Sequence, residues 1–241
     1  MEFIEARFKG EIETFSRLLR AQSKSLTYEG IHDLRVSTRR LRVQIKMIEQ
    51  NTAHHLFVNF KNSLKKLARA LGERRQWDVT LKGAHKYHLK DGRLREDQKQ
   101  AGAKLRRLLH SAEVKALPRE LAAFERTLKN EKIQIHPDQL KKMRSQIKSW
   151  LKQKKFSAKE LHRLRISTKK IRYAFECMDI PVEQLKGLQD QLGKSHDLTV
   201  LSEYFDQPKS VRKADHKERR HAKKRIRPAL RSSLEVLEVL R

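Results

Sequence analysis

Two stretches of the sequence place one histidine and a row of arginines and lysines at the three-to-four spacing of a single helix face. The first row is His32, Arg35, Arg39, Arg42 and Lys46; the second is His162, Arg165, Lys169 and Arg172. At about 1.5 Å rise per residue the first row is a cationic line roughly 21 Å long. A guanidinium binds phosphate oxygens bidentately and stays charged at any physiological pH, whereas a lysine acts as a point charge. A histidine donates one hydrogen bond while neutral and gains charge when a phosphate raises its pKa. These residue types in this order suit the binding of a polyanion. The plainer reading of His32 and His162 is a helix-start residue bonded to backbone.

The two rows belong to a repeat. Ile31 to Arg42 returns 130 residues later as Leu161 to Arg172, with six of twelve positions identical, and of the rest only Asp33 against Arg163 differs in kind. Thr27 stands before the first copy where Ser157 stands before the second. A second block follows each row: Leu64-Lys65, Leu67 and Leu71-Gly72 match Leu185-Lys186, Leu188 and Leu192-Gly193, and Val79 matches Val200. Like charges three and four apart destabilise an isolated helix by about 0.2–0.5 kcal/mol per pair. A solvated helix face is the ordinary fate of such a run. Here the row borders the apolar stripe instead of opposing it, and it occurs twice with the same histidine at its start, which favours a binding surface.

The elements that must carry these rows are helical. Phe8, Ile12, Phe15 and Leu19 mark a first amphipathic helix. Helices are expected over Ile31 to Gln50 and Leu56 to Leu71, with Gly72 ending the latter and a new helix from Trp77 toward the turn at Asp91-Gly92. Arg93 to His110, 118 to 130 and 137 to 152 follow, Pro118 and Pro137 falling in first turns. Ser157 to Glu160 is a capping box opening a helix to about Met178. Pro181 opens another that Gly193 should interrupt, and the chain from Pro208 onward reads as a basic helix kinked or broken near Arg227 by Pro228. Apart from short runs such as Ile133 to Ile135, nothing alternates as a strand does, so the fold class is all-α with an internal repeat. Residues 1–115 and 116–241 are the expected halves. Ile31, Leu34, Thr38, Leu41, Ile45 and Ile48 form the core stripe of one basic helix, and Leu161, Leu164, Thr168, Ile171 and Phe175 that of the other.

Fifty-seven Lys and Arg against 29 Asp and Glu give a formal charge of +28, which repels itself in a compact chain and calls for an acidic partner: nucleic acid, an anionic membrane surface or an inorganic polyanion, among which composition does not choose. No apolar run suits a signal peptide or a membrane span, so an intracellular protein without membrane insertion is expected. The one cysteine, Cys177, lies beside Phe175 and Met178 and reads as a core thiol. His85 and His88 have no nearby carboxylate or thiol to complete a metal set and read as surface residues. Glu11-Ile12-Glu13-Thr14-Phe15 lacks the lysine of a triphosphate-tunnel strand, and no glycine-rich phosphate loop is present. Acids are few among the bases, so neither a catalytic set, a metal nor a cofactor is expected. The dense run Arg219 to Arg225, within Arg212 to Arg227, suits a solvated face, a scaffold or a membrane surface.

In its paired His-x-x-Arg helices and paired Leu-Gly blocks the sequence resembles the conserved-histidine α-helical domain family, CHAD, over nearly its whole length. The resemblance implies two helical bundles related by pseudo-twofold symmetry, basic helices lining a central groove or pore, and non-catalytic binding of inorganic polyphosphate. It implies binding roles for His32, Arg35, Arg39, Arg42, His162, Arg165, Lys169 and Arg172, and further for Lys46, Lys65 and Lys186. A cytoplasmic place, in association with polyphosphate granules, goes with it. The chain departs from the family pattern at Arg75-Gln76-Trp77-Asp78-Val79, where an acid is common at the second position, and at His196-Asp197, where Asn-Asp is common. The rival reading is RNA or DNA binding, specific or weak and nonspecific, since any helical protein of this charge binds phosphodiesters at low salt. Trp77, Trp150, Tyr87 and Tyr173 could stack on bases, although their spacing places most aromatic residues in the core.

Overall fold

The computed structural model describes residues 2–48, 58–129 and 137–239. Among them there is no strand, and ten helices follow in order: α1 (Glu2–Lys24), α2 (Tyr28–Ile48), α3 (Val58–Lys86), α4 (Gly92–Leu109), α5 (Ala112–Lys115), α6 (Leu117–Lys129), α7 (Pro137–Lys152), α8 (Ala158–Cys177), α9 (Glu183–Tyr204) and α10 (Lys209–Val239). The fold is all-α, as the periodicity indicates. The ambiguous run Ile133 to Ile135 lies outside the described residues. No described helix is long and apolar enough to cross a membrane.

The chain forms two compact units, residues 1–82 with 91–135, and residues 83–90 with 136–241. The first unit therefore includes α6, beyond residue 115. Its core is a stripe from each helix: Phe8, Phe15, Leu34, Leu41, Leu64, Leu67, Leu71, Leu105, Leu121 and Phe124 are all essentially inaccessible. Phe124 of α6 meets Phe8 edge-on with centroids 5.9 Å apart, and Phe60 at 5.5 Å. In the second unit Ile147, Leu164, Phe175, Leu188, Leu192, Ile226, Leu230 and Leu237 make the corresponding core, with α8, α9, α10 and α7 packed together. Cys177 is buried there.

Both basic helices begin at a side-chain cap. The Gly30 amide donates to Thr27 Oγ1 at 3.1 Å, and the Thr27 amide donates to Gln22 Oε1 at 3.0 Å. In the second copy the Glu160 amide donates to Ser157 Oγ at 3.3 Å while the Ser157 amide donates to Glu160 Oε2 at 2.6 Å, the reciprocal capping box. That amide bond, with the Ser157 hydroxyl, holds the Glu160 carboxyl below its usual range.

Two expected interruptions are absent, and the helix that contains Pro228 does not break there. α3 runs through Gly72, α9 through Gly193 and α10 through Pro228. A glycine ends a helix when it adopts the left-handed conformation, and no glycine among the described residues has a positive φ. Gly72 sits in the helix interior, where an added Cβ would make only ordinary contact, 3.8 Å from Arg35 Nε. Pro228 is exposed, while Ala222, Ile226, Ala229, Leu230 and Leu237 of the same helix are buried on both sides of it. Continuous packing along that face outweighs the one backbone hydrogen bond a proline removes.

Candidate anion-binding faces

In the first unit α2 and α3 run antiparallel, and their basic side chains meet in sequence. Near the start of α2, His32 is half-buried and its pKa is lowered by burial and then by Arg75 of α3. Arg75 lies over the Tyr28 ring at 4.0 Å, with Lys82 at 6.0 Å from the same centroid. One turn further along α2, Arg35 approaches Gly72. Beyond it, burial lowers the pKa of Arg42, followed by the neighbouring charges of Arg39 and Arg69. Lys46 is exposed. Lys65 and Arg69 border a hollow of about 490 Å³ that also contains Lys66, Glu113 and Glu120, where Lys66 Nζ stands 2.8 Å from Glu113 Oε2. The core stripe runs beneath: Ile31, Leu34, Thr38, Leu41 and Ile45 are buried, and the side chain of Ile48 lies outside the described residues.

In the second unit His162 of α8 meets His196 of α9, their Nδ1 atoms 3.3 Å apart and ring centroids 4.8 Å apart. Burial, then Arg165 and Lys169, lower the His162 pKa. Burial, then Arg165, His162 and Lys169, push His196 down to about 3. Arg165 and Lys169 are half-buried on this face. Below it Leu161, Leu164, Thr168, Ile171 and Phe175 are buried, and Trp150 Nε1 donates to Ser167 Oγ at 3.1 Å.

Arg172 departs from the expected row. It is only 8% exposed, donates from Nε to Gln189 Oε1 at 2.9 Å, pairs with Glu176 and lies over the Tyr173 ring. Residues 171 to 175 are all buried, so at this end of α8 helical periodicity no longer separates inside from outside. Lys186 is exposed near the start of α9, ten residues before His196 and so about 15 Å along the axis from the histidine pair.

Three residues close to the rows escape a reading based on helix spacing alone: Arg69, Arg75 and His196. The repeat itself carried a signal for two of them. Aligning Leu71-Gly72 with Leu192-Gly193 sets Arg75 against His196, and each stands beside the histidine that opens its basic row.

Buried polar groups behind the rows are crossed between the units. In the first, α3 supplies the ion pair Arg74–Asp78, Gln98 Nε2 of α4 donates to Asp78 Oδ1 at 2.8 Å, and a Cβ at Gly102 would lie 3.3 Å from Arg74 Nε. In the second, α10 supplies the pair Asp215–Arg219, and Ser195 and Thr199 of α9 donate to Asp215 at 2.9 and 3.2 Å. Ser195 and Thr199 are the repeat equivalents of Arg74 and Asp78. At these equivalent positions each unit thus holds a carboxylate–guanidinium pair on one helix, with small or neutral side chains facing it from the other.

The remaining candidates are placed as follows. His85 and His88 are exposed, and Glu11 to Phe15 lie inside α1. Among the described residues no three His, Cys, Asp or Glu side chains cluster as metal ligands do. Arg220, Lys223, Lys224 and Arg225 are exposed on α10, whereas Arg219 is half-buried in its pair with Asp215.

This is an all-helical protein of two bundled units, each with a basic helix whose first turn is capped by a hydroxyl side chain. The crystal structure of the CHAD domain from the plant Ricinus communis matches it with a TM-score of 0.67 at 23% identity, over 100% of this chain and 92% of that one. PptA from Streptomyces chartreusis matches with a TM-score of 0.68 at 13% identity, over 98% of each chain. At such identities the likeness establishes the fold. No curated protein matches the sequence. The family model described as CHAD domain matches residues 12–206, and the chain belongs to that family.

Proposed function

We propose that the protein binds inorganic polyphosphate, without cleaving it, through the basic faces built by α2 with α3 and by α8 with α9. The observation that carries this reading is mutual crowding of cations. Burial first, and then the neighbouring cations, lower the pKa values on these faces: Arg39 and Arg69 act on Arg42, Arg75 on His32 against the opposing Asp33 and Glu29, and Arg165 and Lys169 on both His162 and His196. Faces arranged for stability alone interleave acids with bases. Repulsion of this kind is relieved by an anion carrying several charges, and arginine forks suit phosphate oxygens. The binding residues are His32, Arg35, Arg39, Arg42 and Lys46 with Arg69 and Arg75 in the first unit, and His162, Arg165, Lys169 and His196 in the second. Arg172 acts as a structural residue.

Three carboxylates near these faces are engaged by neighbouring side chains: Asp78 by Arg74 and Gln98, Glu176 by Arg172, Asp215 by Arg219 and two hydroxyls. This supports holding over phosphoanhydride cleavage, which draws on carboxylate-bound Mg²⁺. Three of the aromatic residues give nucleic acid little to stack on. Tyr28 is covered by Arg75, Tyr173 is buried, and Trp150 is bonded to Ser167 and stacked on Phe156.

Competition binding at near-physiological salt tests the reading: long-chain polyphosphate is expected to displace single-stranded and duplex nucleic acid of matched charge. Polyphosphate at a hundredfold excess over its Kd should stabilise the fold by about 2.7 kcal/mol, seen as a raised Tm. Combining Arg35→Glu with Arg165→Glu removes two charge-assisted contacts of about 1.5–3 kcal/mol each and should weaken binding by at least about a hundredfold. Arg220→Glu, on the exposed face of α10, should weaken it only modestly. Preference for nucleic acid, or greater damage from Arg220→Glu, refutes the assignment.

A further inference from the structure

The start of each basic helix has the same framework in both units but different contents. In the first unit the half-buried Tyr28 ring occupies this place, with the Arg75 guanidinium 4.0 Å and the Lys82 ammonium 6.0 Å from its centroid. The two repeat blocks set Tyr28 against Ala158, Arg75 against His196 and Lys82 against Glu203. All three replacements line one pocket of about 520 Å³ in the second unit. A methyl group has taken the place of an aromatic ring, and a cavity has opened beside it.

The floor of that cavity is apolar, made by Leu161, Leu192 and Val200. Around its walls the charges are reversed from the first unit. Lys159 and Arg163 stand where Glu29 and Asp33 stand in the first copy, and Glu203 where Lys82 stands. The imidazoles of His162 and His196 add two flat rings to the wall, 4.8 Å apart between centroids. Arg219 also borders the pocket, but its guanidinium is held by Asp215 at 3.0 Å and Thr199 at 3.2 Å.

These groups restrict what can occupy the space. A cavity of this size, with an apolar floor and a few convergent polar groups, is that of a small-molecule site. Phosphate alone would meet the Glu203 carboxylate and leave the floor uncovered, while a simple cation would be repelled by Lys159 and Arg163. A planar heterocycle covers the floor and stacks on imidazole as one ring on another. An amino group on that ring satisfies Glu203, and phosphates attached to it satisfy Lys159 and Arg163. We infer that this pocket is a nucleotide site, which takes an amino-bearing base into the space that Tyr28 fills in the first unit, with Glu203 accepting from the base and Lys159 and Arg163 holding its phosphates. The site goes beyond polyphosphate binding and belongs to the second unit only.

Isothermal titration calorimetry of the full chain in metal-free buffer compares ATP with inorganic tripolyphosphate, which has the phosphates without the base. Wild type is expected to bind ATP at least about tenfold more tightly, the contribution of one stacked base. It should also favour ATP about tenfold over inosine triphosphate, which lacks the amino group. Ala158→Tyr restores the first unit's ring and Glu203→Lys its charge, and both positions are exposed, so the fold should stand. Ala158→Tyr should bring ATP down to the level of tripolyphosphate while long-chain polyphosphate binds as before. Glu203→Lys should abolish the preference over inosine triphosphate. A short oligoadenylate shows whether the base arrives free or within a strand, and its weakening by Ala158→Tyr supports the pocket in either case. ATP bound no more tightly than tripolyphosphate, or equally by wild type and Ala158→Tyr, overturns the site and leaves the polyphosphate reading standing. Loss of polyphosphate binding with ATP binding intact overturns that reading alone.

Discussion

The depressed pKa of His196 makes the second unit acid-sensitive in a way that can be isolated. The folded ring titrates at about 3, against an ordinary value of 6.5, so the unfolded chain binds this proton first as pH falls. Above pH 6.5 the ring is neutral in both states and contributes nothing. Between 6.5 and 3 the unfolded state is favoured by about 1.4 kcal/mol per pH unit, which gives a ceiling of about 2 kcal/mol at pH 5. The ring retains partial exposure, and solvent screening brings the expected loss to about 1 kcal/mol. The chain has two tryptophans, Trp77 in the first unit and Trp150 in the second. Trp77→Phe leaves Trp150 fluorescence as the reporter of the second unit. Urea unfolding at pH 7 and pH 5 is then compared between Trp77→Phe and Trp77→Phe/His196→Gln. The first should lose about 1 kcal/mol more than the second on acidification. Equal losses, or a larger loss in the double variant, would refute the assignment of a desolvated, cation-crowded imidazole at this position.

Other outcomes follow from the packing. Gly72→Ala and Gly193→Ala should each stabilise by about 0.5–1 kcal/mol in chemical denaturation, because both glycines are helix-interior and a Cβ meets either ordinary contact or open space. Asp215→Ala strands Arg219 together with the Ser195 and Thr199 hydroxyls, and should cost about 3–5 kcal/mol, read by Trp150 fluorescence. Ser157→Ala removes the cap of α8 and should cost about 1 kcal/mol by thermal melting.

What the sequence disclosed depended on how much of each helix faces solvent. α2 is apolar on one side only, so its stripe of Ile31, Leu34, Thr38, Leu41 and Ile45 was readable, and the row beside it followed. α8 is legible in the same way until Ile171, where it becomes enclosed; Arg172 continues the numerical pattern yet turns to Gln189 and Glu176. Gly72, Gly193 and Pro228 mislead because local propensity is a matter of about 1–3 kcal/mol, which a buried face along the same helix readily exceeds. Arg69, Arg75 and His196 belong to helices that approach the rows from across the chain. Periodicity within one helix carries no information about such neighbours, whereas the repeat does.

The crossed ion pairs behind the rows bear on how a chain with two similar halves avoids assembling the wrong helices. Were α3 to dock on α10, two carboxylates and two guanidiniums would enter a space shaped for one of each; were α9 to dock on α4, Ser195 and Thr199 would face Gln98 and Gly102 with no ion pair between them. Either mistake leaves its interior overfilled or underfilled. The divergence of the two copies at these few positions thus acts as a lock and key within a single polypeptide, sorting each helix to its own bundle while the exposed basic rows stay alike.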